Sequence, residues 1–335
     1  MRGIQLNSEI TLPGISKKVS SLALGTMTFG DTVDEGLARE MVDTAIAAGI
    51  TMIDTANGYA GGKTEEILAD ILPEYGEELV VATKAGMPHP DAGDNSPLSK
   101  QGLFDSLEGS FRRLNRDSVD LFYLHQPDRE APIEETLETL GELLQEGKIS
   151  AWGVSNFAAW QIAQLQAGAK ELGIPGPVVA QQLHNLVARR LETEYTEFAQ
   201  STGLATMVYN PLGGGLLSGK HSFEGTPGND SEPGRFSGSR LAEMYRERYW
   251  NKELFEGIEK LSDIAKQAGI SLVELSLRWL ISQPSTDSLL LGGSKISHLK
   301  ANLDVIANGP LTQDILDACE TVGDSLSGPM PAYNR

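Results

Sequence analysis

Four residues of the types used in acid–base chemistry follow short apolar runs in the first half of the chain. Asp54 and Lys84 each come directly after such a run, Tyr59 lies five residues beyond Asp54, and His125 follows the run at residues 121–124. A lysine at the end of an apolar run is partly desolvated and needs an acidic partner, which Asp54 can supply. Its charge favours the phenolate and lowers the pKa of a nearby tyrosine. The pattern therefore predicts that Tyr59 donates a proton to a carbonyl oxygen near neutral pH while His125 orients that oxygen.

Each of these residues also has a structural interpretation. An aspartate near a strand end is commonly a helix cap, and a single tyrosine or histidine is commonly part of a core. Four compatible groups at successive strand ends favour the functional interpretation. A Schiff-base lysine, as in barrel aldolases, is the main rival chemistry for Lys84. A metal site is not expected, because the five histidines are scattered and form no pair at helical ligand spacing.

The elements that must position these residues alternate along the whole chain. Short apolar runs are separated by amphipathic segments, which is typical of parallel strands with crossover helices. The pattern predicts an α/β fold, a parallel eight-stranded (β/α)8 TIM barrel with its chemistry at the carboxyl ends of the strands. An N-terminal hairpin at residues 4–13 is expected across its bottom. The runs are residues 21–24, 51–53, 79–83, 121–124, 151–154, 178–181, 206–209 and 288–291.

Local signals support this organisation. An apolar stripe follows Pro132 and stops near Gly147, which predicts a helix with a glutamate-rich outer face. Ser271 and Glu274 have the spacing of a capping box that opens a helix at residues 272–281. Two long loops, residues 87–99 and 213–238, are expected at the carboxyl face of the barrel. We interpret residues 1–335 as a single domain.

An open, doubly wound sheet is the alternative fold. It is disfavoured because no glycine fingerprint follows the first strand, and the glycine run at residues 213–215 comes too late.

Composition limits the classes of partner. The chain has 335 residues, with 46 acidic against 27 basic side chains and a net charge of −19. This charge argues against nucleic acid and against an anionic membrane surface. No apolar run is long enough for a membrane span, and the first residues lack the apolar core of a secretion signal. The one cysteine, Cys319, fits a reducing cytoplasm.

The motifs together resemble the aldo-keto reductase family over nearly the whole chain. The resemblance lies in the order and spacing of short blocks that include the four residues above. These blocks are Gly25-Thr26-Met27, Asp54-Thr55-Ala56 with Tyr59, Lys84, Leu124-His125, Gly147-Lys148, Gly153-Val154-Ser155-Asn156, Gln181 with Asn185, residues 211–220 and residues 292–302.

The resemblance implies a barrel that binds NADPH in extended form and reduces aldehydes or ketones. It implies Tyr59 as general acid, Asp54 and Lys84 as the pair that tunes it, and His125 as the residue that contacts the carbonyl. The carboxamide of the cofactor is then held by Ser155, Asn156 and Gln181, and the nicotinamide ring stacks on Tyr209. The 2′-phosphate is surrounded by Ser294, Lys295 and His298. The adenine is contacted by Asn302. The remaining expected cofactor contacts are Thr26, Met27, Asp54, Asn210, Pro211, Leu212, Gly214, Leu217, Gly219, Lys220, Arg235 and Gly292.

One stretch is similar to the aflatoxin-aldehyde and succinic-semialdehyde reductase branch. It comprises Gly234-Arg235-Phe236, the segment at residues 245–250 and the ending Tyr333-Asn334-Arg335. In that branch the positions of Tyr245, Arg248 and Arg335 lie near the anionic end of the substrate. Because arginine forms a planar fork that matches a carboxylate, we expect a preference for short carboxylate-bearing aldehydes. The alternative is an ordinary amphipathic helix and an unstructured tail.

The chain departs from the family at His184, His298 and Ala301, of which the last two concern adenine contacts. A cofactor-binding regulatory subunit that resembles potassium-channel β subunits is the alternative function. It is disfavoured because those subunits typically carry asparagine at the position of His125 and an N-terminal extension. The partners expected are thus a small-molecule carbonyl substrate and possible further copies of this chain, in a homo-oligomer.

If an acidic protein holds an anionic cofactor, its few bases must be concentrated at the barrel mouth. The expected set is Lys84, Lys220, Arg235, Arg248, Lys295 and Arg335.

Overall fold

The protein, seen in a computed structural model, contains a closed barrel of eight parallel strands. The structure describes residues 4–224, 235–237 and 242–328. Each barrel strand pairs with its predecessor, and the last strand closes the barrel on the first, which excludes the open doubly wound sheet. The strands are β3 (Leu22–Gly25), β4 (Met52–Asp54), β5 (Val80–Ala85), β6 (Val119–Leu124), β7 (Ile149–Ser155), β8 (Val179–Leu183), β9 (Ala205–Tyr209) and β10 (Ser288–Leu291).

Helices connect the strands and surround the barrel. The described residues form α1 (Glu35–Ala47), α2 (Lys63–Ile71), α3 (Lys100–Leu114), α4 (Ile133–Gln145), α5 (Ala159–Leu172), α6 (Tyr195–Thr202), α7 (Ala242–Tyr249), α8 (Lys252–Gln267), α9 (Leu272–Ser282), α10 (Ile296–Ala307) and α11 (Gln313–Ser327). Within these residues no helix has the length and apolar character needed to cross a membrane.

The N-terminal hairpin is present, but its bounds differ from the prediction. Strands β1 (Glu9–Ile10) and β2 (Val19–Ser20) pair antiparallel, so the hairpin reaches well beyond residue 13. Leu12 and Val19 are buried against the residues that fill the barrel interior. Its turn passes close to the barrel at Gly14, where an added Cβ would lie 2.7 Å from the carbonyl oxygen of Ser150. The hairpin closes the amino end of the barrel because its apolar residues complete that core, a tertiary contact that local turn signals do not specify.

Two predicted helices begin and end close to the expected residues. Helix α4 follows Pro132 and ends two residues before Gly147, whose φ of 68° suits glycine. The Ser271 hydroxyl accepts the Glu274 N–H at 3.0 Å at the start of α9. Proline before the first turn and a side-chain cap are local signals, which explains why the sequence located these helices well.

Side chains alternate along each strand between the barrel interior and the surrounding helices. Met52, Val80, Ala82 and Leu121 belong to the cluster that fills the interior. Because a strand has a period of two residues, Asp54, Lys84 and His125 continue the inward rows at the carboxyl ends of β4, β5 and β6. The barrel therefore brings polar residues that are 30 and 41 positions apart in the chain to one end of its core.

Candidate active site

The centre of the site is a buried ion pair between neighbouring strands. Lys84 at the end of β5 and Asp54 at the end of β4 are both inaccessible to solvent, and the Lys84 ammonium donates to Asp54 Oδ1. A second proton of the ammonium goes to the carbonyl oxygen of Thr55 at 2.8 Å. Burial alone would lower the pKa of Lys84, but the neighbouring Asp54 carboxylate raises it above its ordinary value. The lysine is thus held charged inside the barrel.

Tyr59 presents its hydroxyl to this ion pair from the loop after β4. Its Oη lies 3.1 Å from Lys84 Nζ, and the ammonium also lies 4.8 Å from the centre of its ring. A tight turn at Tyr59–Gly62 fixes the loop, and Gly62 within it has a φ of 94°. The backbone N–H of Tyr59 is bonded to the carbonyl of Ala56. The phenol therefore stands between the buried ammonium and the open end of the barrel.

The pKa of Tyr59 differs from the sequence-based expectation. Burial raises this pKa, and although Lys84 lowers it, the net direction is upward. The prediction of a lowered pKa was wrong because it counted the charge of Lys84 without the desolvation of the phenol. Tyr59 consequently stays protonated at neutral pH, as a proton donor must be before it reacts.

His125 directly follows β6, and its ring contacts the ring of Tyr59. The two rings meet edge to face with centroids 5.9 Å apart. Burial, reinforced by the positive charge of Lys84, lowers the pKa of His125 to about 3. Its Nδ1 is buried and has no hydrogen-bond partner among the residues that the structure describes. A neutral imidazole of this kind can donate one hydrogen bond to a ligand oxygen.

Two further residues predicted from the sequence join this group from the opposite side of the barrel. Gln181 on β8 donates from Nε2 to Asp54 Oδ2 at 2.8 Å, so both carboxylate oxygens of Asp54 are bonded. Asn156 follows β7 with a φ of 63°, and its Oδ1 accepts the hydroxyl of Tyr209 at 2.6 Å. The Asn156 amide also donates to the carbonyl of His125 at 2.9 Å. Asn156 thus links the ends of β6, β7 and β9, Gln181 links β8 to β4, and Ser155 is buried beside them.

A glycine-rich turn after β9 extends the site outward. Residues 213–215 have positive φ values, and an L-residue at Gly214 would also place its Cβ 2.5 Å from the ring of Tyr245. Asn210 has a φ of 58° and accepts the Gly214 N–H at 2.6 Å. Along this turn Leu217 is buried, Pro211 and Leu212 are half-buried, and Gly219 and Lys220 are exposed. The N–H groups of residues 213–215 are bonded to Asn210 and Leu212, whereas the exposed Lys220 can attract an anion.

The start of α10 lies next to the carboxyl end of β10. Lys295 is the N-cap residue, and its own side chain makes no capping hydrogen bond to the first turn of this helix. Ser294, Lys295 and His298 are exposed there, whereas Asn302 is buried one turn further on. Lys300 pairs with Glu40 on α1, so it belongs to the surface ion pairs. A helix N-terminus with an exposed lysine is a suitable phosphate site.

The remaining predicted contacts separate into three groups. Thr26 is buried and its hydroxyl donates to the Asp54 carbonyl at 2.9 Å, so this side chain supports the β3–β4 connection. Met27 and Gly292 are open to solvent at least in part. Gly234 and the chain ending, with Arg335, lie outside the described residues.

Helix α7 brings two predicted substrate residues toward the tyrosines of the site. Tyr245 is buried, and the guanidinium of Arg235 lies 5.6 Å from the centre of its ring. Arg248 is exposed on the same helix. Burial raises the pKa of Tyr209 to about 12, while the charge and hydrogen bonding of Arg248 act in the opposite direction. Arg248 therefore lies within interaction distance of Tyr209, on the open side of the barrel.

Some site residues were missed by the sequence reasoning. Tyr123 lies below the ion pair, with Lys84 Nζ 5.8 Å from its ring centre, and its hydroxyl donates to the sulfur of Met207. Counting back two residues from His125 along the strand would have located it, because both side chains point inward. Tyr249 accepts hydrogen bonds from two asparagines at the strand ends, and no sequence signal indicates this.

His184, a departure noted from the sequence, takes no part in the group around Lys84. Its Nε2 lies 2.6 Å from Glu192 Oε1, and its ring meets Trp279 edge to face at 5.0 Å. These contacts pack it outside the barrel, between the loop after β8 and α9.

An eight-stranded parallel barrel with an Asp–Lys–Tyr–His group at the carboxyl ends of its strands defines a (β/α)8 protein with a candidate acid–base site. The chain belongs to the aldo/keto reductase family, whose family model matches residues 21–324. It is 36% identical over 334 residues to human "Aldo-keto reductase family 7 member A3", covering 96% of this chain and 99% of that protein. It is 34% identical over 324 residues to rat "Aflatoxin B1 aldehyde reductase member 2", covering 93% of this chain and 87% of the relative.

Another relative is named as a channel subunit and not as a reductase, and it also aligns over nearly the whole chain. The Arabidopsis thaliana protein "Probable voltage-gated potassium channel subunit beta" is 30% identical over 315 residues, covering 91% of this chain and 93% of the relative. The family and the reductase relatives together support an oxidoreductase that acts on carbonyl compounds. The similarity to the two reductase relatives confirms the resemblance to the aflatoxin-aldehyde reductase branch that was inferred from the motifs.

Proposed function

We propose that the protein reduces aldehydes and ketones to alcohols with NADPH, and that Tyr59 is the general acid. The observation that carries the proposal is the 3.1 Å contact between Tyr59 Oη and the buried Lys84 ammonium, which is itself paired with Asp54. When bound, the cofactor supplies the hydride that the carbonyl carbon receives. The residues of this chain then have to bind the substrate, orient its oxygen and deliver one proton.

Tyr59 delivers that proton from its hydroxyl to the carbonyl oxygen. The O–H bond of the phenol breaks, a new O–H bond completes the alcohol, and the phenolate is stabilised by the adjacent Lys84 ammonium. Because Asp54 keeps Lys84 charged, this stabilisation is in place before the proton moves. Water at the open end of the barrel restores the phenol afterwards. His125, neutral because of its depressed pKa, donates a hydrogen bond to the same oxygen and keeps it near Tyr59.

The outer site fits a dinucleotide phosphate. Lys220 is exposed just beyond the glycine turn, and the start of α10 beside Lys295 provides a second anion site. We assign the pyrophosphate to the turn with Leu212, Leu217, Gly219 and Lys220, and the 2′-phosphate to Ser294, Lys295 and His298. We assign the carboxamide of the nicotinamide to Ser155, Asn156 and Gln181. The nicotinamide ring stacks on Tyr209, and the adenine contacts Asn302.

The proposed substrate class is based on two side chains of α7, Tyr245 and Arg248. Arg248 is exposed close to Tyr209, and Tyr245 borders the glycine turn, so an anionic group at the far end of a short aldehyde has a cationic partner. We propose that short aldehydes bearing a carboxylate are preferred. We propose Arg335, which lies outside the described residues, as a second contact of the substrate carboxylate.

A substrate panel with NADPH absorbance as readout tests the proposal. We expect turnover of semialdehydes, dicarbonyls and aromatic aldehydes, with NADPH preferred over NADH because of the phosphate site at α10. Tight NADPH binding without turnover of any carbonyl would instead support a regulatory subunit. Trapping of a carbonyl compound on Lys84 by borohydride would support the aldolase chemistry. A single domain, a homo-oligomer and a cytoplasmic location stay predictions.

A further inference from the structure

Tyr249, the last residue of α7, is tied to two strand ends through its hydroxyl. Its Oη accepts one N–H from Asn210 Nδ2 at 2.8 Å and one from Asn185 Nδ2 at 3.2 Å. Asn210 directly follows β9, and Asn185 lies two residues beyond β8. The side chain of Tyr249 is almost completely buried, at 1% exposure. One phenol oxygen thus joins a peripheral helix to the carboxyl end of the barrel.

Both asparagines are themselves held in place. Asn210 has a left-handed φ of 58°, and its Oδ1 accepts the Gly214 N–H at 2.6 Å. Asn185 Nδ2 also donates to the Asn210 carbonyl at 3.0 Å, and its Oδ1 accepts the Val187 N–H at 3.1 Å. These bonds orient both amide groups toward one point. The two asparagine amides therefore fix the position of Tyr249 Oη relative to the barrel, and this contact constrains the position of α7.

Helix α7 carries the residues that face the open end of the site. Tyr245, one turn before Tyr249, stacks against its ring with centroids 6.3 Å apart and borders Gly214. Arg248, the residue before Tyr249, acts on the pKa of Tyr209 through its charge. Half of the residues of α7 are exposed, so apolar packing alone holds this helix weakly. A hydrogen-bonded anchor at its end then determines where the guanidinium of Arg248 lies.

We infer that Tyr249 is a positioning residue that latches α7 to the ends of β8 and β9 and thereby places Arg248 for the anionic end of the substrate. The inference rests on the proposed function, since it assigns a specificity role within the same site. Tyr249 itself need not touch the substrate, because it acts through the position of the neighbouring arginine. The phenol oxygen is the essential atom, whereas the ring provides packing that phenylalanine also provides.

The test compares Tyr249→Phe with Tyr75→Phe. Tyr75 is a half-buried tyrosine whose hydroxyl donates to Asp43 far from the barrel mouth, so it controls for the loss of a tyrosine hydroxyl as such. The first measurement is amide hydrogen exchange of the cofactor-free protein over residues 242–249. The second is the KM and kcat for succinic semialdehyde and for butanal, which has the same carbon chain without the carboxylate.

For Tyr249→Phe we expect exchange in α7 to become about tenfold faster, from the loss of two buried hydrogen bonds. The KM for succinic semialdehyde should rise by a similar factor, with kcat and the KM for butanal within about twofold of the parent. Tyr75→Phe should change none of these. Unchanged exchange in α7 would overturn the latch, and so would equal KM changes for both aldehydes. If the parent protein itself does not distinguish the two aldehydes, the proposed carboxylate preference is what fails, and hydrogen exchange alone then decides whether α7 is latched.

Discussion

Lys84 Nζ lies 3.1 Å from Tyr59 Oη while its other protons go to Asp54 and to the Thr55 carbonyl. The ammonium is thus saturated by three oxygens, of which one is the phenol. This arrangement keeps Lys84 charged and directs its charge at the phenol oxygen that we propose as the proton donor. The consequences for catalysis and for stability can be separated by substitution.

Replacing Tyr59 by phenylalanine should remove the proton donor and leave the rest of the site intact. We expect the rate of carbonyl reduction to fall by about 10²–10⁴-fold, the range typical of a lost general acid. NADPH affinity, measured by the change in cofactor fluorescence, should stay within about twofold of the parent. Tyr195→Phe is a matched control, because its hydroxyl is buried against Thr206 near the opposite end of β9. Near-normal turnover by Tyr59→Phe would refute its assignment as the acid.

The Lys84–Asp54 pair should behave as a buried ion pair in unfolding experiments. Lys84→Met leaves an uncompensated carboxylate inside the barrel and should reduce the free energy of unfolding by about 3–5 kcal/mol. The double variant Lys84→Met/Asp54→Asn removes both charges, so it should recover most of this loss in urea unfolding. Activity should be absent from both variants. If the double variant were no more stable than the single one, the charge of Asp54 would not be the cause.

His125 should contribute a measurable pH dependence of stability. Its pKa is lowered to about 3 in the folded protein, against an ordinary value near 6.5, so the unfolded chain binds the proton more readily. Stability is therefore lost as the pH falls below about 6.5, and the loss grows until the folded pKa is reached. Between pH 7 and pH 5 we expect His125→Asn to lose roughly 1 kcal/mol less than the parent, after allowance for partial exposure of the ring. Urea unfolding at both pH values measures this difference, and parallel curves would contradict it.

Arg248→Ala should raise the KM for succinic semialdehyde by about tenfold, because a charge-assisted hydrogen bond to the carboxylate is lost. The KM for butanal should change less than twofold. Lys252→Ala removes a positive charge just beyond α7, from an exposed side chain that pairs with Glu256, and it controls for a general electrostatic effect. Equal effects of Arg248→Ala on both aldehydes would remove the basis for a carboxylate preference.

Gly214 and Gly203 offer a comparison at nearly equal backbone geometry. Their φ values are 70° and 68°, but a Cβ at Gly214 would meet the Tyr245 ring at 2.5 Å, whereas a Cβ at Gly203 would meet nothing within 4 Å. Gly203→Ala should cost about 1 kcal/mol from left-handed strain alone. Gly214→Ala should cost more in thermal unfolding and should also weaken NADPH binding, since Tyr245 has to move. Identical losses in the two variants would show that the ring contact is unimportant.

Much of the fold could be predicted because its signals are local. The eight apolar runs coincide with the eight barrel strands to within a few residues, and proline, glycine and serine caps located α4 and α9. The polar residues at strand ends stood out for the same reason, since a charged side chain directly after a buried strand has to be compensated. The hairpin bounds were wrong because the pairing of Ile10 with Val19 depends on the core it covers.

The residue types and their order along the chain determined the barrel, the Asp–Tyr–Lys–His group and the glycine turn after β9. Only the tertiary structure decided how these groups meet. Barrel closure brings Gln181 onto Asp54 across 127 positions, and the depth of burial sets the direction of the Tyr59 pKa against the pull of Lys84. Tyr249 gains its two asparagine partners in the same way. Strand periodicity and capping act between near neighbours in sequence, whereas desolvation and contacts between strand ends depend on distances that exist only once the barrel has closed.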